Sequence, residues 1–226
     1  NGTDPIFTNM TVSQNTALEG GGIYIRDRAE PTFFNVTITG NSVSTNRGGG
    51  ICICDGPSAV FTNSILWNNS PQEIFFHWDG SPSSITVTYS DVQGGEEGIV
   101  TNDNGTVNWL DGNIDSNPLF TDAANGDYHL SDYSPAIGAG TVAGAPTTDI
   151  EGNPRPNPEG SNPDMGAYEN ALGSPANAAP TITSISNVSI LEDASEQTVN
   201  MAGIDDGDII PDQTLTITAT SSNTNL

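Results

Sequence analysis

Three aspartates recur at one place in a repeating text. Asp27, Asp55 and Asp79 each stand a few residues ahead of a proline, at Pro31, Pro57 and Pro82, and the first two are 28 residues apart. Two carboxylates at a suitable separation are what retaining or inverting hydrolysis of a neutral glycan requires. The same carboxylates stacked in a column repel one another unless a cation bridges them or one takes up a proton. Calcium, which gathers about six to eight oxygen ligands, suits such a column, and it suits the run Asp205-Asp206-Gly207-Asp208 as well. We therefore expect an acidic turn column, solvated or holding calcium, with Asp27, Asp55, Asp79, Asp205, Asp206 and Asp208 as candidate ligands and no catalytic residue.

Other reactive groups give weaker signals. Cys52 and Cys54 sit two apart in one run, so with Ile51 and Ile53 turned inward both thiols should point outward on the same face. A disulfide between them would be strained, and a C-x-C pair without a second pair or a nearby histidine is a poor metal signature. They read as two surface thiols. His77 and His129 each stand alone in the sequence, with no ligand set around either, and read as surface or packing residues. The sequons at Asn9 and Asn35 repeat in step and fit the N-glycosylation pattern. Those at Asn1, Asn68, Asn104 and Asn187 are of the kind that a chain rich in Asn, Ser and Thr yields by chance.

The elements that must carry these groups follow from internal repetition. Residues 5–15, PIFTNMTVSQN, match residues 31–41, PTFFNVTITGN, position by position, and Gly20-Gly21-Gly22-Ile23-Tyr24-Ile25 returns as Gly48-Gly49-Gly50-Ile51-Cys52-Ile53. Looser copies begin at Phe61 and Ile85. A fixed period in this range marks a solenoid, whose units bury their apolar faces only by stacking. Each unit holds short runs of Val, Ile, Thr and Phe broken by Gly or Asn, and none has helical apolar spacing. The expected fold is therefore all-β, a right-handed parallel β-helix with equivalent residues about 4.8 Å apart in neighbouring coils. Asn15, Asn41 and Asn69 should stack as an amide ladder at a turn, in the left-handed backbone that asparagine tolerates. The glycine triplets should turn another corner.

Composition excludes several classes of function. The chain of 226 residues has four arginines, no lysine and 28 acidic residues, a net charge of −24. Such a surface repels phosphate backbones and anionic membranes, which argues against nucleic-acid binding. It would also repel the anionic polysaccharides that β-helix lyases cleave. No apolar run is long enough for a membrane-spanning helix. The chain begins mid-coil without a methionine and reads as an internal piece of a longer polypeptide.

Beyond about residue 104 the text changes to Asp115-Ser-Asn-Pro-Leu-Phe120, Gly126-Asp-Tyr-His-Leu130, Ser134-Pro-Ala-Ile-Gly-Ala-Gly140, Thr148-Asp-Ile-Glu-Gly-Asn-Pro-Arg155 and Asp164-Met-Gly-Ala-Tyr-Glu169. This succession resembles the C-terminal part of bacterial secreted right-handed parallel β-helix proteins of the "choice-of-anchor Q" type. The resemblance implies secretion, a surface role and a segment that caps the open end of the helix, and it implies no agreed catalytic residues. After a Pro- and Ala-rich linker at 173–180, residues 181–226 are similar to the opening of bacterial Ig-like or cadherin-like tandem repeats. The expected organisation is coils over 1–104, a cap over 105–172, the linker, and a partial Ig-like β-sandwich over 181–226.

Together these readings predict an extracellular, non-enzymatic surface protein of a bacterium, serving as a fibril subunit, stalk or adhesin segment. An incomplete sandwich leaves strand edges open, so the expectation includes a homo-oligomer built head to tail into a filament. Possible glycan binding goes with it. The opposing expectation is a secreted glycan-active enzyme or carbohydrate-binding module, marked by an aromatic-lined groove with two carboxylates. A flat face of Thr, Asn and Ser ladders would mark the structural reading.

Overall fold

The structure is a computed structural model that describes residues 4–177, 179–186, 189, 195, 198–205, 207 and 215–218. The chain divides into two compact units, Asn1–Ala176 and Asn177–Leu226.

The first unit is a parallel β-solenoid. Its first coil contains β1 (Ile6–Ser13), β2 (Thr16–Ala17) and β3 (Ile23–Arg26), and its second β4 (Thr32–Thr39), β5 (Ser42–Val43) and β6 (Ile51–Cys54). The third coil splits its leading strand into β7 (Ser58–Thr62) and β8 (Ile65–Trp67) and closes with β9 (Ile74–Phe76). β10 (Ser83–Thr88) and β11 (Asp91–Val92) follow, and β12 (Gly105–Trp109) opens a further turn. Pairing between coils is parallel throughout, in three sheets that run along the axis. β12 pairs in register with β10, Ser83 with Gly105 and Val87 with Trp109, so parallel strand pairing between coils extends to residue 109.

Register turns every inward position into a column. Phe7, Phe33 and Phe61 are mutual partners on successive strands, and their rings stack at 4.9 and 4.3 Å. Parallel strands force identical side chains into such stacks, and flat rings at that spacing fill the interior without voids. Ile23, Ile51 and Ile74 form a second column, and Val12, Ile38, Leu66 and Val92 a third.

Two kinds of asparagine hold the corners. The expected ladder is present: Asn15 Nδ2 donates to Asn41 Oδ1 at 3.0 Å, and Asn41 Nδ2 donates to Asn69 Oδ1 at 2.9 Å. These asparagines are not left-handed, however. That backbone belongs to the preceding residues, Gln14, Gly40 and Asn68, and to a separate column, Asn9, Asn35 and Asn63, with φ near 50°. The division is physical: a ladder residue must aim its amide inward along the axis, while the residue that reverses the chain need only tolerate positive φ. The glycine triplets are explained mainly by crowding. A Cβ on Gly21 would lie 2.5 Å from the Gly49 carbonyl oxygen and 2.6 Å from that of Ser42.

From about residue 120 the chain runs along the flank of the coils. β13 (Phe120–Asp122) and β14 (Asp127–Leu130) form an antiparallel hairpin. The following chain crosses the left-handed column as a strap: Asn63 exchanges two 2.8 Å bonds with Thr141, Asn35 Nδ2 donates to Asp164 O at 2.9 Å, and Asn9 Nδ2 donates to Thr148 O at 2.6 Å. A second apolar cluster of Ile65, Leu130, Ala136, Ile137 and Met165 seals strap to coils. The flank has to be covered because Ile65, at the head of β8, points out of the solenoid.

In the second unit, Thr181 and Asp205 form an antiparallel bridge, and Thr183 N donates to Ala202 O at 3.0 Å. The described residues there contain no longer strand pairing. The predicted runs at 197–201 and 215–220 lie partly outside the described residues. Among the described residues no helix is long and apolar enough to cross a membrane.

Candidate functional site

The corner after β3, β6 and β9 is where the sequence puts its acidic column, and there the register sets Asp27 beside Asp55 while each of the three carboxylates has a different partner. Asp27 and Asp55 both take positive φ, near 61°, which a short polar side chain tolerates. Asp27 Oδ2 meets Arg26 Nε at 3.0 Å in the open, while Asp55 Oδ1 accepts from Ser81 N at 3.2 Å. The third coil is shorter and lays Gly80, not Asp79, against Asp55, with a Cβ position 3.1 Å from its Cα. Asp79 turns to His77 instead. In the second unit, Asp205 Oδ1 accepts from Gly207 N at 2.7 Å. Asp206 and Asp208 lie outside the described residues.

A different set does converge. Ligand atoms of Cys54, His77 and Asp79 all lie within 4.8 Å of one another, the one such group of three or more among the described residues. His77 therefore does not stand alone, and the two thiols are not equivalent. Cys52 is fully buried, and the loops before β6 and after β9 meet on this side of the coils, with the Arg47 guanidinium 4.6 Å from the Trp78 indole centroid. Burial pushes its thiol up to about 12, so it stays protonated and inert. Cys54 is only partly covered. His129 has partners too: Nδ1 lies 2.6 Å from Asp127 Oδ1 and Nε2 3.1 Å from Glu151 Oε2. Neither histidine cluster is visible in the sequence as a motif. The Cys54–His77 interval is 23 residues where the preceding coil has 28, so period-matching passes over it.

The asparagines of the repeated sequons serve the strap. Asn35 is fully buried, and its amide nitrogen donates to Asp164 O and to Gly166 O at 3.3 Å. Asn9 donates to Thr148 O and accepts from Arg155 Nη1 at 3.1 Å. The nitrogen a glycan would need is thus committed at both positions in the folded chain.

The broad outer face of β1, β4, β7, β10 and β12 carries hydroxyl and amide side chains in register. Ser84 Oγ donates to Ser58 Oγ at 3.0 Å, and Asn108 Nδ2 donates to Thr86 Oγ1 at 3.2 Å. Ile6, Phe34 and Val60 are set among them. Two cavities lie off this face. One, about 220 Å³, is lined by residues of the first two coils, mostly apolar, including Phe7, Ile23, Tyr24 and Phe33 with Arg26 among them. The other, about 260 Å³, lies where Trp67, Leu119 and Phe120 meet. Neither brings two carboxylates together.

No curated protein and no solved structure matched the chain in the comparisons made. The family model described as "Right handed beta helix region" matches residues 1–153, which span every coil and most of the strap. The in-register columns, the parallel pairing and this match agree, and the chain belongs to the right-handed β-helix family.

Proposed function

We propose that this chain is a structural segment of an extracellular bacterial surface protein, a stalk, adhesin segment or fibril subunit, and that it does not cleave glycans. The observation that carries this reading is the outer face of the β1–β4–β7–β10–β12 sheet, where Ser, Thr and Asn, with Ile6, Phe34 and Val60 among them, stand in register and pairs such as Ser58–Ser84 and Thr86–Asn108 bond across coils. Neither cavity described above brings two carboxylates together to act on a glycan. The net charge of −24 adds long-range repulsion of acidic polymers. Resemblance of residues 105–172 to secreted β-helix proteins supports an exported, surface-attached parent. Resemblance of residues 181–226 to Ig-like repeats supports assembly through that end, where a neighbouring subunit would complete the sheet by strand addition.

Electron microscopy and light scattering of the full chain, beside a version lacking residues 177–226, test the assembly. The full chain should give filaments or higher oligomers and the shortened one a folded monomer. A monodisperse full chain, or fibres unchanged by the deletion, rejects the joint. Release of reducing or unsaturated ends from common polysaccharides, lost on Asp27→Asn or Asp55→Asn, rejects the non-enzymatic reading.

A further inference from the structure

A site unrelated to either of those readings sits at the edge of the β3–β6–β9 sheet. Strands β6 and β9 pair Cys52 with Phe75 and Ile53 with Phe76, and His77 N donates to Ile53 O at 2.8 Å. One step further on, the register sets Cys54 beside His77 on the outer face of adjacent coils, where parallel neighbours are about 4.8 Å apart. Asp79, two residues beyond the histidine, curls back over the ring.

The imidazole is held firmly. It stacks on Trp78 at 4.4 Å and 25°, and meets Phe75 edge-on at 6.5 Å. Asn104 Nδ2 donates both to His77 O at 2.8 Å and to Asp79 O at 3.3 Å, pinning the backbone of the two residues from the next coil. His77 is only 8% exposed, and its Nδ1 is enclosed without a hydrogen bond. That nitrogen faces Asp79 Oδ1 in a contact whose geometry is not that of a hydrogen bond. Nδ1 and the carboxylate can share a cation, either a proton or a metal ion, and the Cys54 sulfur lies within reach of both. The third group is the partly covered Cys54 thiol.

We propose that Cys54, His77 and Asp79 form a binding site for a divalent transition metal of the zinc class, a staple between the second and third coils. Sulfur, imidazole nitrogen and carboxylate oxygen are the donors that zinc takes in tetrahedral sites, and a thiolate selects against calcium and magnesium. Bonds of ordinary length would set the donors about 3.4–3.6 Å apart, which the exposed Asp79 side chain can reach by a small rotation. Three protein ligands leave the fourth tetrahedral position to water. Binding sends the Cys54 thiol proton to solvent as the metal–sulfur bond forms. Asn104 and Trp78 act as positioning residues that keep the histidine aimed.

The test uses the full chain, reduced and freed of metal with a chelator, titrated with Co²⁺ and then Zn²⁺. One equivalent of cobalt should give thiolate-to-metal charge-transfer absorption and ligand-field bands of tetrahedral intensity, both abolished by zinc. C54S should remove the charge-transfer band, C52A should retain it, and D79N should weaken zinc at least tenfold. Because D79N alters an exposed side chain, its circular dichroism and metal-free melting should match the parent, which keeps the result independent of folding. Zinc should raise the melting temperature of the parent and not of C54S. The proposal is overturned by absent charge transfer, by a band that survives C54S, by equal zinc affinity in D79N, or by zinc that millimolar calcium displaces. A band that survives C54S would place the thiolate ligand at Cys52, and either of the last two outcomes would mark diffuse binding to an acidic surface.

Discussion

Arg155 Nε and Glu169 Oε2 lie 2.8 Å apart with neither side chain exposed to solvent. Arg155 also donates to Gly166 O and Asn9 Oδ1, each at 3.1 Å, while Glu169 accepts from Asp164 N at 3.1 Å and Asn157 N at 3.0 Å. One of the chain's four arginines thus closes the strap onto the first coil. Arg155→Ala leaves a buried carboxylate without its partner and should cost about 3–5 kcal/mol in chemical denaturation. Arg155→Lys keeps a charge but not the fork of donors, and should recover only part of that. A loss under about 1 kcal/mol for R155A would mean that the strap is not held there.

The amide ladder gives a paired prediction. Asn41 accepts from the backbone and side chain of Asn15, and donates to Asn69 Oδ1 and to Val12 O at 2.8 Å. Asn41→Ala strands several buried groups and should destabilise by about 2–4 kcal/mol. Asn68→Gly, at an exposed position with φ near 59°, should be neutral or stabilising within about 1 kcal/mol. Equal losses at the two sites would contradict the separation of ladder from left-handed turn.

Acid should stabilise this protein. Burial pushes Glu73 up to about 7, Asp91 up to about 8 and Asp164 up to about 7. Asp91 Oδ2 has no hydrogen-bond partner, and Asp115 and Glu73 are the charges beside it. Each of these carboxyls holds its proton more tightly folded than unfolded, so its stabilising effect is full below about pH 4 and is lost as pH rises toward 7–8. His129 acts in the same direction. Its burial opposes protonation, but hydrogen bonds with Asp127 and Glu151 leave it raised, so its contribution is lost as pH rises through the folded value. Asp127, lowered by its hydrogen bond to His129, and Asp149, lowered by its bonds from Asn153, Glu169 and Glu151 against the opposing effect of burial, reverse the trend only in stronger acid. Melting temperature should therefore fall between about pH 5 and pH 8.5. Asp91→Asn should flatten that fall, and a rise over the same range would refute the assignment.

Gly49 tests the close approach of coils. A Cβ there would run into the backbone of Ser70 in the next coil. Gly49→Ala should destabilise by about 1–3 kcal/mol or block folding. Gly152→Ala meets no atom within 4 Å, so it should cost no more than the strain of its left-handed backbone, about 1 kcal/mol. Thermal melts of the two variants settle the comparison.

The coils were legible because repetition of Phe7 with Phe33 and of Asn15 with Asn41 is itself the register of a parallel sheet. The strap was not, since nothing in Asp164-Met-Gly-Ala-Tyr-Glu169 says which surface it meets. The structure gives each residue an address. Met165 enters the second apolar cluster, and Gly166 passes so close to Ile65 and Thr37 that a Cβ would lie 2.8 Å from each. Ala167 N donates to Thr37 Oγ1 at 3.0 Å. The convergence of Cys54, His77 and Asp79 escaped the sequence for another reason: it depends on one coil being shorter than its predecessor.

A stack of coils held only by nearest neighbours can fray from either end, one rung at a time, since each interface is an independent unit of stability. The strap changes this, because a single stretch of chain is bonded to the first coil at Asn9, the second at Asn35 and the third at Asn63. Loosening any one of them lengthens the tether that orders the other two. Pulled from its C-terminal side, the molecule should hold to a threshold and then give way in a single rip rather than a sawtooth of rungs.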